Sequence, residues 1–426
     1  MARIVLNTFG SFGDLHPYLA IGIELLRRGH EAIVATSEVY RAKVEAEGVG
    51  FAPVRPDVGE LLDNPEFLRK LWDPRRGSEH LYREYLIPNV RSSYEDLAIA
   101  CDKADLLLTH FANCAGPIVA QTLKLRWLSI ALQPTVFFSR FDPPVLAIAP
   151  WLRHYYRFGA FGAARKLARI ASRRWVGVLV ELRRQYGLPV DQHPLFEGQF
   201  SPSGTLALFS QHFAKPQVDW PPNSKTTGFV FYDRRGEGLD PGSPADPDLA
   251  RFLDQGPAPV LFTLGSSAVM HPGDFFRESA EAATQLGVRA LLLVGPLQYE
   301  NASKKLPDSI FTAEYAPFSE VMPRAAVNVH QGGIGTTGQA LRAGIPMIVV
   351  PWSHDQPDNA ERLRRLGVSH TISRSQYTSG RIAAELKSLF QDVGCKQRAA
   401  DLGRQIAAED GLQNACNVIE KVLAKS

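Results

Sequence analysis

The sequence predicts an α/β fold of two doubly wound, Rossmann-like domains facing each other across a cleft. Three observations predict it. Short apolar strands alternate with helical stripes in both halves of the chain. A glycine-rich turn follows a strand in each half, at GSFGD (Gly10–Asp14) and at QGGIGTT (Gln331–Thr337). Between the halves the composition breaks into DRRGEGLDPGSPADPDLARFLDQGPAP (Asp233–Pro259), rich in Gly, Pro and Asp. Strands alternating with helices imply parallel sheets covered on both faces. Right-handed crossovers make such sheets doubly wound.

The first domain is expected over 1–232. RIVLNTF (Arg3–Phe9) is a β-rich run. GSFGD turns it into a helix with Leu15, Leu19, Ile23 and Leu26 at helical spacing, closed by Gly29. EAIVAT, DLLLTH (Asp105–His110), RWLSIAL (Arg126–Leu132) and TLALFS (Thr205–Ser210) are further strands. Residues 233–259 read as a linker. The second domain, 260–426, restarts the pattern with PVLFTLGS, VRALLLVG, AAVNVHQGG and PMIVVPW. GTTGQALRAG is a helix capped by Gly344. Helices on Arg381–Phe390, Lys396–Ala407 and Gln413–Ala424 finish the chain, the last expected to pack back on the first domain. No repeat of solenoid period is present.

Composition narrows the class. With 426 residues, 45% hydrophobic and 21% charged, the chain is neither disordered nor fibrous. A net charge of +3 is too small to imply nucleic acid. Cys101, Cys114, Cys395 and Cys416 form no CxxC pair and no zinc spacing, which points to a reducing compartment. MARIVLNTFG reads as a strand rather than a signal peptide, and no apolar run has bilayer length. A cytoplasmic protein is the expectation.

The most informative stretch is VNVHQGGIGTTGQALRAGIPMIVVPWSHDQPDN (Val327–Asn359). A strand ends at His330. Gly332, Gly333 and Gly335 let the backbone turn tightly and approach a ligand, and Thr336 and Thr337 open a helix. Free N–H groups at a helix start suit phosphate, and His330 can donate to a phosphate oxygen. A turn needing glycine only for packing is the plainer reading. No GKS or GKT follows, and GxGxxG is not satisfied.

This stretch resembles the donor-binding signature of nucleotide-sugar glycosyltransferases of the GT-B fold. The branch it is most similar to holds plant natural-product and bacterial antibiotic, sterol and flavonoid glycosyltransferases, the UDP-glycosyltransferase-like family. The resemblance runs from GSFGDLHPY to DQPDN. It implies that Tyr315, in AEYAPF, stacks on the nucleobase, and that His330 contacts the diphosphate. It places Gly335, Thr336 and Thr337 in the phosphate-cradling turn, with Ser266 and Ser267 of TLGSS also reaching phosphate. Asp355 and Gln356 match the acid–amide pair that holds the sugar hydroxyls. Two positions depart from the plant pattern. Phe318 replaces a base-reading glutamine, and Gly338 replaces a ribose-gripping glutamate, so UDP and dTDP are not told apart; Gln339 is the candidate substitute. Taken alone, Tyr315 reads as a core aromatic and Asp355 as an N-cap.

In the first half, Asp14 reads as a helix N-cap on its own. The resemblance instead places it at the catalytic position, where plant members carry histidine and many bacterial and sterol members carry aspartate. His110, after DLLLT, stands where the orienting partner lies. On unperturbed pKa alone His110 is the better base; on position Asp14 is. The expectation is Asp14 nearest the acceptor hydroxyl with His110 as its partner, and His16, two residues on, facing elsewhere. The implied reaction is an inverting transfer of a hexose, glucose first, without metal or cofactor, the nucleotide sugar being a co-substrate. The DxD at Asp246-Pro247-Asp248 reads as a turn in the linker.

The acceptor side is aromatic. Phe111, Phe137, Phe138 and Phe141 are candidate contacts for a small hydrophobic acceptor such as a flavonoid, polyketide, sterol or lipid. Arg153–Arg184 carries nine Lys or Arg against one Glu. It reads first as a solvated basic face, and second as a contact with an anionic membrane surface. The competing functional classes are a nucleotide-sugar epimerase of the same fold and a non-catalytic nucleotide-binding module.

Overall fold

The structure, a computed structural model, describes residues 1–62, 64–232, 247–296 and 306–424. The chain forms two units, Met1–Tyr232 with Asp410–Ser426, and Asp233–Glu409.

Unit 1 holds a parallel sheet of β1 (Arg3–Asn7), β2 (Glu31–Thr36), β3 (Gly50–Pro53), β4 (Leu106–His110), β5 (Arg126–Ala131), β6 (Thr205–Ala207) and β7 (Ser224–Thr226). Their order is β3-β2-β1-β4-β5-β6-β7. The central strands are buried on both faces, which is why RIVLN and LLLTH read as continuous apolar runs rather than alternating ones. The order reverses between β1 and β4, paired at Leu6–Leu108. Ligand sites of doubly wound sheets lie beyond the carboxyl ends of the strands at such a switch point. His110 is the last residue of β4, and Asp14 lies in the first turn of the helix that follows β1.

Unit 2 repeats the plan. Its strands are β8 (Val260–Thr263), β9 (Ala290–Leu293), β10 (Ile310–Ala313), β11 (Val327–His330), β12 (Met347–Val349) and β13 (Ser369–Thr371), in the order β10-β9-β8-β11-β12-β13. The reversal falls between β8 and β11, where Thr263 pairs with His330. The segments that follow those strands are Gly265–Ser267 and Gln331–Gly335.

Three boundary expectations change. The segment 233–259 is not all linker: 233–246 lie outside the described residues, but Pro247–Asp254 is a helix that buries Leu249 and Phe252. Phe252 packs on Phe311, and the Arg289 guanidinium lies 4.1 Å from its ring centre. Asp248 is therefore a first-turn helix residue rather than part of a turn, while Asp246 is outside the described residues. Unit 2 ends at Glu409 rather than at the C-terminus. The last helix, Gly411–Leu423, packs on the first, Phe12–Arg27, through Arg28–Glu420 at 2.6 Å and Gln413–Glu24 at 2.9 Å. Its Asn414 also donates to the Thr227 carbonyl at 2.9 Å.

Candidate active site

Asp14 is not the N-cap. Ser11 is, its hydroxyl accepting from the Gly13 N–H at 3.2 Å. Asp14 sits three residues on, and its Oδ2 accepts from the Ser11 N–H at 2.8 Å, completing a capping box. Gly10 makes room for this. Its φ is +134°, and a Cβ there would lie 2.2 Å from Asp14 Oδ2. The Gly10 carbonyl is tied down by the Tyr40 hydroxyl at 2.8 Å. With Oδ2 held by the cap, Oδ1 faces His110.

His110 ends β4 and is 2% exposed. Its Nε2 lies 3.6 Å from Asp14 Oδ1, within ion-pair range but longer than a hydrogen bond. Neither ring nitrogen has a hydrogen-bond partner among the described residues. The ring is gripped by Phe111, 4.3 Å between centres, and by the edge of Tyr18 at 5.9 Å. Burial disfavours the charged form of each group. It pushes Asp14 up to about 6, against the lowering effect of the Ser11 hydrogen bonds, and His110 down to about 3. The order expected from unperturbed values is thereby reversed: at neutral pH the carboxylate is the stronger base and the imidazole is uncharged. His16 lies between Phe12 and Tyr232, at 5.4 and 4.7 Å, away from this pair.

In unit 2, Gly332 has φ +88°, and a Cβ there would meet Val349 at 2.8 Å and the Gln356 carbonyl at 3.3 Å. The turn delivers the chain into the helix Ile334–Ala343, whose N-cap is Gly333, with no side-chain cap. The first intrahelical bond runs from the Thr337 N–H to the Gly333 carbonyl at 2.9 Å. The N–H groups of Ile334, Gly335 and Thr336 precede it, which leaves a bare positive helix end. Gly335 is exposed, and a Cβ there would meet no protein atom within 4 Å. This is open space beside uncapped donors. Thr337 is fully buried, so its hydroxyl does not face that space, while the Thr336 hydroxyl lies toward Gly265.

His330 is fully buried. Its Nδ1 accepts from the Gly332 N–H at 3.1 Å, so the proton sits on Nε2, and Nε2 has no partner among the described residues. Burial lowers its pKa to about 3. It is a neutral imidazole at the end of β11 whose one N–H, buried, is unsatisfied among the described residues.

Asp355 occupies the N-cap position of Gln356–Leu366, as its place in the sequence suggests, but its side chain makes no capping bond. Its Oδ2 accepts from Asn359 Nδ2 at 2.6 Å, and the same amide donates to the Gly332 carbonyl at 2.8 Å. Asn359 thus ties the acidic residue to the glycine turn. Gln356 Oε1 is already engaged, accepting from the Trp352 and Ser353 N–H groups at 2.8 and 3.2 Å, which leaves its amide N–H₂ as the group able to meet a ligand. Ser266 and Ser267 lie in a single helical turn, Gly265–Ala268, rather than a loop. Gln331, not anticipated, is buried with its amide against Gly265 and Gly333. Gln339 accepts from Arg342 at 2.7 Å, and Gly338 is buried within its helix. Tyr315 is 50% exposed, not a core aromatic.

Among the acceptor candidates, Phe137 is corrected to a core residue. It is buried and stacked on Trp220 at 4.1 Å and on Phe200 at 6.0 Å. Phe138, at φ +46°, is half-buried against Phe196. Phe141 is exposed, and Phe111 is half-buried beside His110.

Two doubly wound units, each with a polar constellation at its switch point, define a two-domain α/β enzyme of the GT-B type. Residues 4–87 match the glycosyltransferase family 28 N-terminal domain, and 281–422 match the erythromycin biosynthesis protein CIII-like C-terminal domain. The chain is 32% identical over 435 residues to O-mycaminosyltylonolide 6-deoxyallosyltransferase of Streptomyces fradiae, covering 98% of this chain and 97% of that one. It is 28% identical over 438 residues to sterol 3-beta-glucosyltransferase of Leptosphaeria maculans. That match takes in 99% of this chain but 29% of the relative, so this chain spans less than a third of its length. Among solved structures, the spinosyn rhamnosyltransferase SpnG complexed with thymidine diphosphate superposes with a TM-score of 0.70 at 20% identity, over 98% of this chain and 100% of that one. The chain belongs to the UDP-glycosyltransferase-like family of GT-B glycosyltransferases.

Proposed function

We propose that this enzyme is an inverting glycosyltransferase that moves a hexose or deoxyhexose from a nucleoside-diphosphate sugar to a hydroxyl of a small hydrophobic acceptor. The observation that carries the reading is the Asp14–His110 pair, 3.6 Å apart, with the carboxyl pushed up to about 6. A base with a pKa near the working pH combines sufficient ionisation with a useful appetite for a proton. Asp14 takes the proton of the acceptor hydroxyl. The oxygen attacks the anomeric carbon opposite the nucleotide, the bond to the diphosphate oxygen breaks, and one displacement inverts the centre. His110, neutral and packed by Phe111 and Tyr18, supports the pair. In unit 2 the departing diphosphate receives the uncapped N–H groups of 334–336 and the His330 Nε2–H. The activities for which the relatives are named, a deoxyallosyl transfer and a sterol glucosyl transfer, support a hydrophobic hydroxyl acceptor. The thymidine diphosphate in the SpnG structure supports a nucleoside-diphosphate donor.

The test is incubation of the protein with UDP-glucose, or with a dTDP-hexose, beside phenolic, macrolide and sterol acceptors. A new glycoside of inverted configuration, formed together with free nucleoside diphosphate, is expected. An isomerised nucleotide sugar without acceptor consumption would establish an epimerase instead, and absence of turnover with every pair would leave a binding module.

Two further outcomes are expected. Turnover persists in EDTA, because the bare helix end supplies positive potential to the diphosphate; loss on chelation that magnesium restores would overturn this. Tyr315→Ala weakens donor binding about tenfold to a hundredfold, the worth of base–aromatic stacking, with a smaller effect on kcat. An unchanged donor Kd in calorimetry would remove Tyr315 from the site.

A further inference from the structure

The helix Ala160–Ser172 of unit 1 turns its aliphatic side chains outward and two of its arginines inward. On the inner side Phe161 and Ser172 are buried, and Ser172 bonds His193 at 3.1 Å. Arg165 and Arg169 reach back to the Glu197 carboxylate, Arg165 at 3.5 Å. On the outer side Leu167 is 66% and Ile170 52% exposed, with Ala163 and Ala171 on the same face at helical spacing. Lys166, Arg173 and Arg174 flank this stripe and are exposed, with no ion pair among the described residues. The preceding 3₁₀ stretch, Pro150–Phe158, packs on the helix through Tyr156 against Phe161 at 5.2 Å. It presents exposed Trp151 and Tyr155, edge to face at 6.0 Å, beside exposed Arg153. From 143 to 180 the sequence holds seven Lys or Arg and no Asp or Glu.

An ordinary surface helix hides its leucines and shows its arginines. This one exposes two aliphatics flanked by cations, and the stretch packed against it exposes a Trp and a Tyr. Trp and Tyr place an apolar body and a polar tip at a wet boundary, and basic residues beside apolar ones fit anionic headgroups over acyl chains. A protein groove would match the apolar stripe but would need its own dense acidic rim. A bilayer carrying anionic lipid supplies both properties at once.

We propose that this face of unit 1 docks peripherally on an anionic membrane surface, with Leu167, Ile170, Trp151 and Tyr155 entering the interface and Arg153, Lys166, Arg173 and Arg174 meeting headgroup phosphates. No helix among the described residues is long and apolar enough to cross a membrane, and the contact proposed is with the surface. The inference does not rest on the donor or acceptor assignments.

The test is co-sedimentation of the full chain with vesicles of phosphatidylcholine alone and of phosphatidylcholine containing phosphatidylglycerol. Binding to the anionic vesicles is expected, weakened about tenfold or more in the Lys166→Ala, Arg173→Ala, Arg174→Ala triple variant and at high salt. The Leu167→Ser, Ile170→Ser double variant should lose binding comparably and keep the parent's far-UV circular dichroism and melting temperature, which shows it folded. No binding to anionic vesicles, equal binding by the variants, or binding indifferent to phosphatidylglycerol would overturn the proposal. So would a concentration-dependent dimer that Leu167→Ser dissolves, since the occupant would then be a second copy.

Discussion

Asp14→Asn lowers turnover about 10²–10⁴-fold at neutral pH, the range removed with a general base. The same substitution makes the protein more stable. Asn keeps the shape and an acceptor for the Ser11 N–H, so the capping box survives. What it loses is a charge that burial disfavours. The folded carboxyl titrates near 6 and the free one near 3.8. The folded state therefore holds its proton longer, and this contributes stability below pH 3.8 that is lost as pH rises through 6. At pH 7 the ionised carboxylate costs about 1–3 kcal/mol, discounted for its partial exposure, and the variant escapes that cost. The melting temperature of the variant should exceed that of the parent at pH 7, with the gap closing toward pH 4. In kinetics, kcat/KM of the parent falls as Asp14 protonates below about pH 6, and this limb is absent from the variant. His110 contributes no limb near 6.5, since burial holds it neutral down to about 3. The double variant with His110→Ala should be little slower than either single one, because the pair acts as a unit. Wild-type turnover by folded Asp14→Asn would make Asp14 a helix residue and nothing more.

The two sheets, their order of appearance and the positions of both glycine turns were legible because parallel strands buried on both faces leave unbroken apolar runs, such as LLLTH. The capping role is legible too, though not at Asp14 alone: Ser11-Phe12-Gly13-Asp14 is the S-x-x-D spacing, which makes Ser11 the cap and Asp14 its reciprocal acceptor. Asn359 was within reach for the same reason, since four residues on from Asp355 in a helix is the facing position. The reversal of the Asp14 and His110 affinities was not legible. It depends on desolvation by Tyr18, Phe111 and their neighbours, which only the fold assembles. The burial of Phe137 is not legible, because PTVFF has the hydropathy of an apolar loop. Its burial comes from Trp220, more than eighty residues along. The outward turn of Leu167 and Ile170 was invisible for a related reason. Periodicity locates an apolar stripe, but the Glu197 side chain that draws Arg165 and Arg169 inward lies on another segment.

His330→Ala should cost about 10²–10³ in kcat, the measured worth of one pre-placed donor to a developing anion. The geometry says which hydrogen does the work. Nδ1 is spent accepting from the Gly332 N–H at 3.1 Å, so Nε2 carries the proton, and it is buried without a partner among the described residues. Leaving a buried donor unpaired costs about 1–3 kcal/mol, a cost that a diphosphate oxygen at this position would relieve. The lost donor has a specific signature: affinity for the nucleoside diphosphate falls in the alanine variant, while affinity for the bare nucleoside is unchanged. His330→Gln separates this role from packing. A glutamine amide can present an N–H close to the Nε2 position and fill most of the volume, so it should recover at least a tenth of wild-type turnover, whereas a purely structural histidine would gain nothing specific to diphosphate. Because burial holds the ring near a pKa of 3, it donates as a neutral group. Affinity for the intact nucleotide sugar, whose diphosphate does not titrate near neutrality, should then stay flat from about pH 5 to 8 in wild type as regards this residue. Affinity that strengthens as pH falls through 6.5, and loses that dependence in His330→Gln, would mean that an imidazolium binds the donor. Equal losses for nucleoside and nucleoside diphosphate in His330→Ala would mean that the ring only holds the glycine turn.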